Sequence, residues 1–330
     1  MKLTYLLLTL LTCWASGAQA ADRDPASKEK LREAFLEWRF GMFIHFNMAT
    51  FHEVEWANGY EPQSSFQPDQ LNCEQWAVAA VSAGMQYAVL TVKHTGGWCL
   101  WNSQTTKTHA MSAFSNYKNG RGDIVRDFIK ACRSHGLKVG LYYCFPRDFG
   151  HPEDKESLRG LPPEARDNPL VFVKQQLTEL LTQYGAIDLL WCDQYQFDLK
   201  DNWPEIMQHV HDLQPNCLII ANNSRDFAET DIYSYEYPWL VGRDLEGLPP
   251  PDNQVPTEVC DKMEPSWFWK SDQEWNLKDA AQIVEFLKIS NARNANYLLN
   301  VAPDRTGLIP EASVRRLEEV GAILRSESGF

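Results

Sequence analysis

The sequence predicts one (β/α)8-type, TIM-like barrel, and three observations carry that expectation. Eight short runs rich in apolar and aromatic residues, at 39–46, 87–93, 137–144, 187–193, 216–222, 230–236, 257–261 and 296–301, read as strands. Helical patterns near 72–83, 121–134, 168–184, 202–213, 278–291 and 311–325 fall between and after them. Apolar strands separated by helices imply a parallel sheet buried on both faces. The chain of 330 residues also suits one barrel, with no second domain expected after the last helix.

Taken in order, residues 1–20 are expected to stand outside the fold. Lys2 gives a positive start, Leu3 to Leu11 an apolar core and Ala18-Gln19-Ala20 a small-residue cleavage site, the pattern of a secretory signal peptide. That apolar stretch is too short to span a bilayer, so the expectation is an exported domain, periplasmic or secreted, over 21–330. Cys13 offers a lipoprotein alternative, but Leu10-Leu11-Thr12 is a poor lipidation signal. Within the domain, Asp123 and Asn168-Pro169 are helix-start chemistry, and Gly136 and Gly185 sit where helices should stop. The segment 237–276 is irregular, with the Pro-rich run Gly247-Leu248-Pro249-Pro250-Pro251 reading as an extended loop. Together with 146–167, rich in Pro, Asp and Glu, it is expected at the barrel rim.

A formal charge of -13 argues against nucleic acid or an anionic membrane as a partner. No segment after the leader approaches a membrane-spanning run, so membrane insertion is not expected. Past residue 20 the cysteines are Cys73, Cys99, Cys132, Cys144, Cys192, Cys217 and Cys260. They form no CxxC pair, and most lie in apolar runs where a thiol behaves as a small hydrophobe. Neither a disulfide framework nor a zinc pattern is expected.

In such barrels the C-terminal strand ends carry the chemistry. Read in order they supply His45, Lys93-His94, Tyr142-Tyr143, Asp193, Asn222-Asn223 with Arg225, Glu236 and Glu258. A carboxylate at the end of a buried strand is costly without partners, and two on neighbouring strands are the minimum equipment for cleaving a glycosidic bond. The chain also holds 12 tryptophans, and flat indoles are platforms for the apolar face of a sugar ring. Asp193 also fits a helix N-cap, and Glu258 a structural pair with Arg225 or Arg243.

Four segments make the pattern specific. Trp38-Arg39-Phe40-Gly41-Met42-Phe43-Ile44-His45, with Glu55-Trp56 beyond it, forms the first. Tyr87 to His94 with Gly97-Trp98-Cys99-Leu100-Trp101 forms the second, and Asp188-Leu189-Leu190-Trp191-Cys192-Asp193 the third. The fourth is Asn296-Tyr297-Leu298-Leu299-Asn300-Val301-Ala302-Pro303. Together they resemble glycoside hydrolase family 29, the α-L-fucosidases, over nearly all of the barrel.

The resemblance implies a retaining hydrolase with Asp193 as nucleophile, no cofactor, no metal, and a fucosylated oligosaccharide or glycoconjugate as substrate. Asp231 to Tyr237 resembles the segment that carries the acid/base, which implies Glu236, with Glu258 in reserve. It further implies sugar contacts from His45, Glu55, Trp56, His94, Trp98, Tyr143, Trp191, Arg225 and Trp267, and a catalytic domain without the C-terminal β-sandwich of many relatives. Thr95-Gly96 departs from the family's His-Asp, Asn47 from a tryptophan, and Ser266-Trp267-Phe268-Trp269 from Ser-Trp-Gly-Tyr. These departures keep three alternatives open: a related exo-glycosidase such as an α-L-galactosidase, a glycan-binding barrel without turnover, and a metal-dependent hydrolase using His45, His94, Asp193 and Glu258.

Overall fold

The chain folds around eight parallel strands: β1 (Phe40–Ile44), β2 (Tyr87–Lys93), β3 (Lys138–Cys144), β4 (Leu189–Asp193), β5 (Leu218–Ala221), β6 (Tyr233–Glu236), β7 (Thr257–Lys262) and β8 (Ala295–Asn300). This computed structural model describes residues 25–145, 168–196, 199–236, 247–273 and 276–327. The expected leader at 1–20, the rim segment 146–167 and part of the irregular stretch lie outside those residues.

Strand order β5-β4-β3-β2-β1-β8-β7-β6 makes a nearly closed barrel. The seam between β5 and β6 has no regular ladder among the described residues and is stitched by side chains. Asp231 Oδ2 accepts from Ile219 N at 2.9 Å, and Thr230 Oγ1 from Ala221 N at 3.0 Å. The backbone N–H of Asp231 returns a bond to Ile219 O at 2.8 Å. These groups satisfy the edge of β5 that a ladder would otherwise pair.

Alternation along each strand sends one set of side chains inward and the other toward the helices. Phe43, Tyr87, Tyr142, Trp191, Cys260 and Leu298 fill the interior. Met42, Leu90, Leu141, Leu190, Val259 and Leu299 pack under the outer layer. That layer is α3 (Cys73–Ser82), α5 (Ile124–Ser134), α6 (Pro169–Thr182), α7 (Trp203–Leu213), α8 (Ala280–Ala292) and α9 (Glu311–Ser326). Asp123 Oδ1 caps α5 through Arg126 N at 2.9 Å, and Asn168 Oδ1 caps α6 through Val171 N at 3.2 Å, as their positions predict.

Three helices are additions to the sequence reading: α1 (Pro25–Leu36), α2 (Met48–His52) and the single turn α4 (Met111–Phe114). The end of α1 plugs the barrel floor, where Phe35 joins the interior cluster and Phe35 O accepts from Asn296 Nδ2 at 2.7 Å. All seven described cysteines are buried. No helix among the described residues is long and apolar enough to cross a membrane.

Candidate active site

Each strand delivers one polar group to the C-terminal mouth, either as its last inward residue or just beyond it. His45 follows β1 and His94 follows β2, Tyr142 stands near the end of β3, Asp193 ends β4 and Asn222 follows β5. Glu236, Lys262 and Asn300 end β6, β7 and β8. Contacts run from one to the next around most of the ring. Asn300 Oδ1 meets His45 Nδ1 at 2.6 Å, and the His45 and His94 rings are 5.8 Å apart. His94 stacks with Tyr142 at 5.4 Å, and the Tyr142 hydroxyl donates to Asp193 Oδ2 at 2.8 Å.

Asn222 joins the two acids. Its Nδ2 donates to Asp193 Oδ1 at 3.0 Å and to Glu236 Oε2 at 2.9 Å. Asp193 Oδ1 also accepts from the Gln194 backbone N–H at 2.8 Å. Glu236 receives a longer bond, 3.3 Å, from Asn223 Nδ2, while its own N–H donates to Asn223 Oδ1 at 3.1 Å. Both acids are half-buried. The Trp267 ring closes one side of the mouth 5.0 Å from His45, and the Phe268 ring lies 4.9 Å from His94.

Burial holds both histidines neutral at pH 7. His45 lies well below the usual imidazole range, first through burial and then through His94 and Lys262, against an opposing bond from Asn300. His94 is pulled down to about 4 by burial, with Asp193 opposing. The His45 Nδ1–H is committed to Asn300 Oδ1, which leaves its other ring nitrogen to accept from a hydroxyl, while neutral His94 offers one donor and one acceptor nitrogen. The Tyr142 hydroxyl is pushed up by burial and by Asp193, so it remains a donor.

Of the residues expected at the site, His45, His94, Asp193, Glu236 and Trp267 meet at the mouth. Glu55 joins them through its carboxylate, which accepts from Trp267 N at 3.1 Å. The remaining expectations need correction. Tyr143 faces outward, its hydroxyl on Gln176 Oε1 at 2.6 Å, because alternation gives the inward position to Tyr142. Trp191 is buried one layer below the acids, with its N–H on Glu258. Trp98 is buried in the loop after β2, stacked on His109 at 3.8 Å, with Nε1 on Glu61.

The Arg225 guanidinium lies 4.0 Å over the ring of outward-facing Tyr235. Trp56 is 61% exposed and lines a surface hollow with His52, Asn58 and Tyr60. Glu258 sits near the start of β7, at the barrel floor, 1% exposed. The four residues of the metal alternative therefore do not converge, and among the described residues no group of three or more His, Cys, Asp or Glu could hold a metal ion.

Two departures acquire reasons. Asn47 caps α2, and its Nδ2 donates to Trp98 O at 3.0 Å, tying the first two loops of the rim. Gly96 has φ +90, and a Cβ there would meet Ala57 Cβ at 3.0 Å, so the loop after β1 packs where an aspartate would stand. Thr95 Oγ1 meets His94 Nδ1 at 3.2 Å.

A family model described as α-L-fucosidase matches residues 7–328. The chain belongs to the α-L-fucosidase family. It is 31% identical to α-L-fucosidase 1 of Arabidopsis thaliana over 88% of this chain and 59% of that protein. It is 25% identical to the plasma α-L-fucosidase of Rattus norvegicus over 98% of this chain and 76% of that one. The chain thus spans about three fifths of the length of the plant relative. The structure of α-L-fucosidase isoenzyme 1 from Paenibacillus thiaminolyticus superposes with a TM-score of 0.72 at 30% identity, covering 91% of this chain and 76% of that one. Within this α-L-fucosidase family barrel, sequence reasoning passed over Lys262 and left Tyr142, Asn222 and Asn300 without roles. Alternation names the inward member of each pair only once one inward residue per strand is known.

Proposed function

We propose that the chain is an exported retaining α-L-fucosidase that removes terminal α-L-fucose from a fucosylated oligosaccharide or glycoconjugate. One observation carries this reading: a single amide nitrogen, Asn222 Nδ2, bonds both acids. Their facing oxygens are therefore no more than about 6 Å apart, which suits the roughly 5–5.5 Å of a retaining pair and leaves little room for the water of an inverting one.

In the first step an Asp193 oxygen attacks the anomeric carbon as the bond to the leaving oxygen breaks, and Glu236 gives that oxygen its proton. In the second, Glu236 takes a proton from water, whose oxygen displaces Asp193 and restores the starting configuration. Tyr142, Asn222 and the Gln194 N–H fix the orientation of Asp193. Neutral His45 and His94 are suited to ring hydroxyls, and Trp267 and Phe268 to the C6 methyl of a deoxy sugar. That aromatic wall favours fucose over L-galactose, whose C6 hydroxyl would find an apolar surface.

The test is a panel of aryl glycosides. The aryl α-L-fucoside is expected to be the best substrate, with kcat falling about 10³-fold or more in Asp193→Asn and about 10²–10⁴-fold in Glu236→Gln. A wild-type chain that binds fucose but turns over no member of the panel would favour the glycan-binding alternative. Activity surviving Asp193→Asn would remove the nucleophile assignment.

A further inference from the structure

Glu258 is a buried acid that the proposed chemistry leaves idle, and it stands directly under the site. Its Oε2 accepts from the Tyr87 hydroxyl of β2 at 2.6 Å, and its Oε1 from the Trp191 indole N–H of β4 at 2.8 Å. The Trp191 ring stacks on Tyr142, with centroids 5.4 Å and planes 22° apart. Tyr142 donates to Asp193 at 2.8 Å. A continuous line of contacts thus runs from the floor acid to the mouth acid, parallel to the strand that carries both Trp191 and Asp193.

We infer that Glu258 is a positioning residue for Asp193: by holding the Trp191 indole from below, it fixes the plane against which Tyr142 packs and so the hydroxyl that orients the carboxylate. The inference rests on Asp193 as nucleophile. An indole nitrogen only donates, so the buried Trp191 N–H needs an acceptor, and Glu258 is the one it meets. The other oxygen is braced. A Cβ at Gly41 would come within 2.4 Å of the Tyr87 ring, so the bare backbone of β1 is what lets that ring lie across the floor. Trp38 and Phe35 hold it there, with ring centroids 5.5 and 6.1 Å away.

Three connected elements meeting on one carboxylate is more than burial of an acid requires, since an apolar side chain of similar size would pack without the desolvation cost. Burial raises Glu258 to about 7, with the Tyr87 and Trp191 bonds opposing. The titratable groups that face it are the Tyr87 hydroxyl and, on its own strand, the Cys260 thiol. Both are themselves pushed upward by burial and so stay neutral while Glu258 titrates.

The experiment compares wild type, Glu258→Gln, which keeps an acceptor oxygen, and Glu258→Leu, which does not. Steady-state kinetics on an aryl α-L-fucoside are paired with NMR of 15N-indole-labelled protein, the Trp191 signal being assigned with Trp191→Phe. Glu258→Leu is expected to lose kcat about 10²-fold with KM changed less than about threefold, and Glu258→Gln to recover most of kcat. The Trp191 indole signal should move between wild type and Glu258→Gln, because the acceptor it meets changes from a carboxyl to an amide. A folded Glu258→Leu with unaltered kcat, a Glu258→Gln as impaired as Glu258→Leu, or a Trp191 indole signal unmoved by Glu258→Gln would overturn the inference. The NMR comparison does not depend on Glu258→Leu folding. It also separates the two readings: a wild type without turnover overturns the fucosidase assignment, and the response of the Trp191 indole signal to Glu258→Gln then decides the Glu258 linkage alone.

Discussion

Asn222 gives one amide hydrogen to each of two carboxylates, and little else in the mouth could do so without adding charge. A lysine there would draw both acids toward their ionised forms, and Glu236 must carry a proton to act as an acid. The Asn222 carbonyl oxygen is buried and makes no hydrogen bond among the described residues. Asn222→Ala should lower kcat about 10²-fold, the usual cost of losing one preorganised donor. Asn222→Asp should lower it further, because a third carboxylate would repel the other two. Initial rates on an aryl fucoside with thermal melting as a folding control check this, and an unchanged kcat in folded Asn222→Ala would contradict it.

At the scale of elements, all eight strands lie within two or three residues of their predicted bounds, because each is apolar and ends in turn chemistry. The outer helices α3 to α9 apart from α4 were legible from a buried face, with a capping side chain ahead of α3, α5 and α6. The helices that escaped are α1, which docks mainly by its end, and α2 and α4, whose 5 and 4 residues are too few to show a period. The β5–β6 seam was hidden as well. Thr230 and Asp231 read as strand residues, and their use as substitutes for a ladder depends on which strand lies beside them. Legibility of the site followed the same division. The acids at the ends of β4 and β6 could be named from pattern, whereas the choice between Tyr142 and Tyr143 depended on strand parity. Trp98 and Trp191 are both core side chains, the commoner fate of a tryptophan.

Across the whole molecule, two buried acids set how stability responds to pH. Glu258 and Glu264 are each raised by burial from the ordinary glutamate value of 4.5 to about 7. Glu264, in the loop after β7, ties the mouth to α9 through Ser313 Oγ at 3.0 Å, while its second oxygen is buried without a hydrogen-bond partner in the described structure. Between pH 4.5 and 7 the folded form holds more protons than the unfolded one, so these acids remove stability as pH rises through that window. His45 and His94, lowered by burial, act in the opposite sense and remove stability as pH falls below 6.5. Glu264→Gln eliminates one contribution. Its melting temperature relative to wild type should climb by several degrees between pH 5 and 8, an effect on the order of 3 kcal/mol. A difference independent of pH would show that Glu264 does not titrate in that window.

The spacing of Asp193 and Glu236 is tested most directly by the stereochemistry of the first product. Following the first minutes of aryl α-L-fucoside hydrolysis by proton NMR should show α-L-fucose appearing before mutarotation produces the β anomer. Initial release of β-L-fucose would mean a single displacement by water, and the two acids could not then be the nucleophile and acid/base of a retaining enzyme.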